Sequence, residues 1–503
     1  MTTHLFMQAK PCHVLVIAIL VAASTLNART AAAQERMYFP AVENVTSVLV
    51  QKINAEKVRI DMSAWYFTDR SIVTALVNRF NAGVPVRLIG DRASIFEVDP
   101  NTKSQFYYLA NAGIPIRLRY NPRYYPEVAH WKAIIFVGQR LVSFGSANFT
   151  PFELAPVSTT NYKDETVLLT NDLVLVNAFK TQFDRMWNDT TVESRSRYPG
   201  PPYFRDWNSA CSAEPACADY KTRYPTPKPM IINRARLEPD HPMPPEMVWG
   251  QGAVFNNRLI TEINAESRFI DFVVYRITVS NIPNALIAKH ASGVPVRIIM
   301  DPQEYRNRKW PEFWLTRAYI DKMWAAGIPI KKRIHAGLTH MKMLITSNYA
   351  TNASSNHGSE WQRDHNYFVP AIAKPAVYDA MVNRFNIMWN DTAGFANFVP
   401  EPPDAPVLDR PASGAVNVSR TAPLVWKRAP FAVSYDVYLG TSSSSLQRVA
   451  NVPARLVNNP PTTYSWTPPA ALLPQRVYYW RVVSRTNASL TARSVVRSFT
   501  TAP

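Results

Sequence analysis

Two stretches decide how this chain is read: HWKAIIFVGQRLVSFGSANFT at 130–150 and HMKMLITSNYATNASSN at 340–356. Each opens on a histidine two residues before a lysine, His130/Lys132 and His340/Lys342. Each then reaches a small-Ser-x-Asn turn, with Ser146 and Asn148 in the first and Ser354 and Asn356 in the second. One His-x-Lys is commonplace among nine histidines, but the two stand 210 residues apart, and so do their surroundings. INAEKVRIDMSAWYF (Ile53 to Phe67) matches INAESRFIDFVVYRI (Ile263 to Ile277), also at an offset of 210. GVPVRLIGD ending at Asp91 matches GVPVRIIMD ending at Asp301. AGIPIRLR at Gly113 matches AGIPIKKR at Gly327 at an offset of 214, and MWNDT at Met186 recurs at Met388 at an offset of 202. The chain therefore carries a duplicated unit, with the histidines at the same place in both copies.

Within each unit, apolar β-branched runs such as VRIDMSAWYF and VRLIGD alternate with segments of helical spacing such as SIVTALVNRFNAG, which stops at Gly83. This alternation predicts an α/β sandwich in which each half has a mixed, largely parallel sheet. The run after Lys132 reads as a strand, so period-two placement puts His130 and Lys132 on one face, and HMKMLIT does the same for His340 and Lys342. Met and Trp of FDRMWND and FNIMWND read as core.

At 503 residues the chain is too long for one ordinary core. Five segments are expected: a leader at 1–33, the first half at 34–197, a proline-rich connector at 198–245, the second half at 246–401, and a different domain at 402–503. In the leader, Lys10 precedes an apolar run from Val14 to Leu26 and the small residues Ala31 to Ala33. That is the pattern of a cleaved signal peptide and implies a secreted or periplasmic protein; an uncleaved anchor is the alternative. Beyond Cys12 only Cys211 and Cys217 remain, which fits a local disulfide in an oxidising compartment better than a metal pair. The connector is long enough to cover an interface or act as a lid. The last segment, with VSYDVYLGTS, TTYSWTPP and VYYWRVVSRT, has only short alternating runs and reads as an all-β sandwich. It resembles a bacterial fibronectin type III domain, with Trp426 and Tyr478 to Arg481 at core positions.

Hydrophobic residues at 47% and charged residues at 18% exclude a disordered chain, and the net charge of +18 favours anionic partners. Histidine, lysine and asparagine together supply what phosphodiester cleavage needs: a nucleophile, an acid for the leaving oxygen, and donors around the phosphoryl oxygens. Two copies supply one histidine for each of the first two roles, with Lys132, Lys342, Asn148 and Asn356 as a clamp. The hydroxyls of Ser146 and Ser354 are further donors to the substrate.

These motifs resemble the phospholipase D superfamily, whose repeated signature is H-x-K-x-x-x-x-D followed by G-S-x-N. The resemblance covers residues 37 to 395 and implies a covalent phosphohistidine, no metal or other cofactor, and one site between the halves. It implies His130 as nucleophile and His340 as acid, and Glu165 as the acidic residue that holds His130 and favours its imidazolium. Between the two copies Glu165 falls opposite His365, with Asp364 adjacent. The signature aspartates are missing: Val137 and Ser347 stand in their places, and Ala353 replaces one glycine. His335, His340, His357 and His365 lack zinc-site spacing and read as ordinary histidines.

Three functions are open at this point. One is a phosphodiesterase of phospholipid head groups, favoured by export and by Trp65-Tyr66-Phe67, Tyr107-Tyr108 and Tyr124-Tyr125 as flanks of an apolar entrance. The second is an extracellular, metal-independent nuclease, with nucleic acid as the partner. The third is a non-catalytic reader of anionic polymers, attached to an anionic surface by the basic C-terminal segment. None implies an obligate protein partner.

Overall fold

The computed structural model describes residue 1 and residues 35–120, 129–191, 203–250, 252–308, 314–358, 364–457 and 460–503. The expected leader, the Tyr124-Tyr125 pair and the start of the connector lie outside the described residues.

The duplication is explicit in two eight-stranded sheets of one topology. The first holds β1 (Arg36–Tyr38), β2 (Ile60–Ala64), β3 (Val86–Asp91), β4 (Ile116–Arg119), β5 (Ala133–Phe136), β6 (Leu141–Gly145), β8 (Val167–Thr170) and β9 (Phe204–Asp206), in the order β1-β8-β6-β5-β2-β3-β4-β9. β7 (Asn161–Asp164) stands apart from it. The second holds β10 (Met247–Gly250), β11 (Ile270–Val274), β12 (Val296–Met300), β13 (Ile330–Arg333), β15 (Met343–Ile345), β16 (Tyr349–Ala353), β17 (Asp364–Pro370) and β18 (Phe395–Asn397), in the order β10-β17-β16-β15-β11-β12-β13-β18. In each, the three strands β2-β3-β4 or β11-β12-β13 run parallel and the others antiparallel. Central strands such as β3 are buried along their whole length, which is why they read as unbroken apolar runs.

The helices form where the spacing predicts. Asp69 caps the helix Arg70–Asn81 by accepting from Ser71 and Ile72 N–H, and Gly83 ends it with φ +87°, which a glycine adopts without strain. The helices Leu173–Asn188 and Pro375–Asn390 carry the two MWND motifs, and both lie in one apolar cluster spanning the two halves. Met186, Trp187 and Met388 are buried in it, and Trp389 packs partly buried against it.

Between the sheets, β7 pairs in parallel with β14 (Ala336–Thr339), Asn161 opposite Ala336 and Asp164 opposite Thr339. The halves are thus stitched by backbone as well as by apolar packing. Asp164 strengthens the seam: its buried carboxylate accepts from Arg333 at 2.9 Å and Arg384 at 2.7 Å, both from the second half.

The connector differs from expectation. Its first described part supplies the edge strand β9 and the helix Trp207–Ala213, whose Trp207 is fully buried in the first half's core. Cys211 and Cys217 form a disulfide, Cα atoms 5.3 Å apart, closing this element onto that core. This stretch therefore completes the first half, as β18 completes the second.

The C-terminal segment is a β-sandwich of a three-stranded sheet and a larger one. Trp426, Tyr435 and Trp480 fill its interior, and Tyr478 joins them. Tyr479 and Arg481 alternate to the outside of the same strand. The sandwich docks on the second half through the Arg308–Asp404 ion pair, Arg317 bonded to the carbonyl of Pro402 at 2.8 Å, and Trp314 against Phe431. Among the described residues no helix is long and apolar enough to cross a membrane.

Candidate active site

The seam between the halves brings both His-x-Lys pairs together. β5 starts at Ala133 and β15 at Met343, so His130, Lys132, His340 and Lys342 lie in the extended entries to these strands rather than within them. Each histidine is oriented by the other half. Nδ1 of His130 bonds Asp364 Oδ1 at 2.8 Å, and Nδ1 of His340 bonds Glu165 Oε1 at 2.6 Å. Glu165 therefore holds His340 and not His130.

The structure also corrects the alignment by one residue. Ser146 N–H donates to the Thr166 carbonyl and Ser354 N–H to that of His365, so Thr166 matches His365 and Glu165 matches Asp364. The loop between asparagine and acid is shorter in the second copy, which hid this register from the sequence.

The serines do something other than expected. Ser146 Oγ donates to Glu165 Oε2 at 2.5 Å, and Ser354 Oγ to Asp364 Oδ1 at 2.8 Å, with Ser355 Oγ on Oδ2 at 2.9 Å. Their hydroxyls fix the carboxylates that fix the histidines, and are not turned to a substrate. Asn148 gives both its backbone N–H and its Nδ2 to Glu153 Oε2, at 2.6 and 2.7 Å. The other Glu153 oxygen takes Lys163 Nζ at 2.8 Å. Glu153 was not singled out in the sequence, although Thr150-Pro-Phe-Glu153 is a capping-box pattern and Thr150 does cap that turn. Asn148 and Asn356 are nearly fully buried and each leaves Oδ1 without a protein partner.

The two lysines differ. Lys132 Nζ turns back to the His130 carbonyl at 2.8 Å, and its backbone N–H donates to His365 Nε2 at 3.1 Å. Lys342 Nζ lies 2.7 Å from Nε2 of His340. Rings flank both histidines at repeat-related positions: Trp65 beside His130 with centroids 5.9 Å apart, Tyr275 beside His340 at 4.7 Å. Of the other aromatic residues in the expected entrance, Phe67 and Tyr107 are core, and Tyr108 lies under Arg70.

Burial dominates the electrostatics. It pushes His130 down to about 4, with Lys132 adding to the effect and Asp364 opposing it. His340 is driven well below its ordinary value by burial and by Lys342. Burial brings Lys132 down to about 7 and Lys342 to about 8. For Asp364 burial works upward, but His130, Lys132 and Ser354 outweigh it and hold the carboxyl below its usual range. Glu165 is raised by burial against the pull of Lys342 and Ser146. The histidines thus rest as neutral imidazoles rather than the imidazolium expected at His130. Lys342 contributes to the shift at His130, so the two halves share one electrostatic site.

The missing signature aspartates have a local explanation. Glu56 Oε1 accepts from the N–H of Val58 at 2.7 Å and of Gly138 at 2.9 Å, beside Val137. Glu266 Oε2 accepts from both the N–H and the Oγ of Ser347, at 2.6 and 2.8 Å. A carboxylate already sits against each turn, supplied by the INAE motif of the same half. The glycine replacement is also local. A Cβ at Gly145 would fall 1.9 Å from the Thr166 carbonyl oxygen, whereas Ala353 is accommodated in the second copy.

The remaining histidines are scattered. His357 is buried against Phe255 and Phe272, His335 lies beside Tyr162, and His365 packs among Trp131, Phe144 and Phe179. Among the described residues one group has metal-ligand proximity, Glu153, Glu165 and His340. Its polar atoms are engaged by Asn148, Lys163, Ser146 and Lys342.

Comparisons with known proteins point to one family. The family model described as "Cardiolipin synthase, PLD-like domain" matches residues 49–187 and 259–389, more than half of the chain. A phospholipase D of Rickettsia prowazekii is 31% identical over 134 residues, 27% of this chain and 58% of that protein. A mitochondrial cardiolipin hydrolase of Xenopus tropicalis is 27% identical over 140 residues, 28% of this chain and 60% of that protein. The chain thus spans somewhat over half the length of these curated relatives. The crystal structure of phosphatidylserine synthase from Haemophilus influenzae shares the fold, with a TM-score of 0.51 at 13% identity, over 73% of this chain and 87% of that one. With two matched domains meeting in one set of crossed histidine–carboxylate pairs, this chain belongs to the phospholipase D superfamily.

Proposed function

We propose that the protein is an exported phosphodiesterase that cleaves phospholipid head groups through a phosphohistidine on His130. The observation that carries this reading is the crossed pairing, His130 with Asp364 and His340 with Glu165, because each half alone lacks its orienting acid. His130 is neutral at physiological pH, its Nδ1 proton is held by an ionised carboxylate, and Nε2 has no hydrogen bond to the described residues. That is the state a nucleophile needs.

His340 differs, since its Nε2 already contacts Lys342 Nζ, which places a proton where a leaving oxygen would collect it. In the first step the His130 Nε2–P bond forms, the P–O bond to the head-group alcohol breaks, and the proton of the His340–Lys342 pair passes to that oxygen. In the second step water attacks phosphorus, the N–P bond breaks, and His340 takes the water's proton, leaving phosphatidic acid. Lys132 and Lys342 offset phosphoryl charge, and the Asn356 amide and the Asn148 amide hydrogen that Glu153 does not hold donate beside them. No step draws on a metal.

Lipid as substrate is supported by the curated relatives and by Trp65 and Tyr275 at the site. Export is supported by the leader pattern and by the Cys211–Cys217 disulfide, a bond of oxidising compartments. The net charge of +18 favours the second reading, an extracellular nuclease on the same site. Release of choline from phosphatidylcholine vesicles, set against nicking of plasmid DNA with chelator present in both, separates the two. Choline release lost in His130→Asn supports the lipid reading; nicking alone would replace it with the nuclease.

A further inference from the structure

The duplicated aspartates Asp91 and Asp301 close the GVPVR motifs, and the chemistry described so far leaves them unused. Asp91 is the last residue of β3 and fully buried. Its Oδ1 accepts from the N–H of Ala93 at 2.8 Å and of Ser94 at 3.2 Å, and its Oδ2 from the N–H of Ala129 at 2.8 Å. Asp301 repeats this after β12. Its Oδ1 accepts from the N–H of Gln303 and of Glu304, both at 2.9 Å, and its Oδ2 from the N–H of Thr339 at 2.8 Å. Ala129 and Thr339 are the residues immediately before His130 and His340.

We infer that Asp91 and Asp301 are positioning residues, each setting one catalytic histidine of its own half by gripping the backbone one residue upstream. Both His-x-Lys pairs precede the strands they lead into, so no ladder within β5 or β15 fixes them. At His340 the β7–β14 pairing also holds the backbone, through the Asp164 carbonyl, but in both halves a carboxylate rooted in the central parallel strand is the shared, rigid tether. The arrangement is costly for an acid. Burial pushes Asp91 up to about 7 and Asp301 up to about 6, each against three backbone donors. Capping the following turn requires only Oδ1, whereas the second oxygen is spent on the histidine segment. The same division in both copies points to that second bond as the reason for a carboxylate.

The inference rests on the two-histidine mechanism proposed above, and its test separates them. Asp91→Asn and Asp301→Asn keep shape and one acceptor oxygen. Asp91→Ser and Asp301→Ser keep a capping group but cannot reach Ala129 or Thr339. The full-length protein would be followed by stopped flow on bis(p-nitrophenyl) phosphate, with the folded fraction of each variant measured by circular dichroism. The expected result is half-specific. The Asp91 variants slow the burst of p-nitrophenolate, in which His130 attacks, on the order of 100-fold with KM little changed. The Asp301 variants keep the burst, because this leaving group needs no acid, and slow the steady state in which His340 activates water. Slowing of both phases alike, or losses that follow the folded fraction, would overturn the inference. If wild type and His130→Asn hydrolyse the diester equally, the mechanism itself fails. The positioning is then read from the rates of diethyl pyrocarbonate modification at the two histidines, where each variant should alter only the histidine of its own half. A change at neither or at both rejects it.

Discussion

Asp364, in the second half, holds Nδ1 of His130, in the first, at 2.8 Å, and its carboxyl stays ionised because His130 and Lys132 outweigh the cost of its burial. The two halves therefore do not each own a histidine–acid pair, but complete one another's. Loss of either acid should impair the whole site. Asp364→Asn and Glu165→Gln should each lower kcat by about 100-fold, the low end for a placed proton-transfer group. Asp364→Asn combined with His130→Ala should be no worse than His130→Ala alone, because the acid acts through the histidine. Additive losses in that pair, measured on one diester, would show that Asp364 acts elsewhere.

The lysine clamp makes a pH prediction. An ammonium loses its charge as pH rises, and burial has brought Lys132 to about 7 and Lys342 to about 8, far below the ordinary lysine value. Attraction for an anionic diester should weaken as pH climbs through 7 to 8, so KM should rise there. A bound phosphate favours the charged form, which places the effect on KM more than on kcat. Initial rates across pH 6 to 9 test this, and a flat KM over that range contradicts it.

Asp164 ties the halves through Arg333 and Arg384, all three side chains buried. Removing one partner from such a group leaves uncompensated buried charge, at a cost of about 3–5 kcal/mol. Asp164→Ala should lower the urea midpoint accordingly and lose activity with it, since the His340 N–H also donates to the Asp164 carbonyl.

The absent signature aspartates give a stability prediction of unusual sign, in which restoring the consensus residue does harm. Ser347→Asp would set a second carboxylate against Glu266 and remove a hydroxyl bond to a charged acceptor, itself worth about 1.5–3 kcal/mol. The variant should melt lower than wild type, and Glu266→Gln should recover part of the loss. A stabilised Ser347→Asp would show that Glu266 does not occupy that role.

Much of this architecture was legible in the sequence because it is written twice. The shared offset of INAE, GVPVR and His-x-Lys points to two equivalent α/β halves and to one site holding His130, Lys132, His340 and Lys342. What failed was the contact of one side chain with another, across the copies or within one. Glu165 was assigned to the histidine of its own half because nothing in the sequence shows that the acids cross between the copies, and a one-residue register error hid Asp364 as its counterpart, because the loops before Glu165 and Asp364 differ in length and periodicity says nothing across them. The same blindness hid the serines, whose hydroxyls look like substrate donors until the carboxylates beside them are seen. Trp207 was read as connector because a single edge strand and a short helix carry too little periodicity to be assigned to a core.

The central claim is that His130 is the nucleophile of a site built by both halves. It is tested most directly by acid-free quenching of the protein with a radiolabelled phosphodiester whose p-nitrophenolate leaving group needs no acid, followed by peptide mapping of the label, in wild type and His340→Asn. The account predicts a base-stable, acid-labile phosphoryl group on His130, accumulating in His340→Asn because the group that activates water is gone. Label on His340 instead, or turnover with no labelled histidine in either protein, would contradict it.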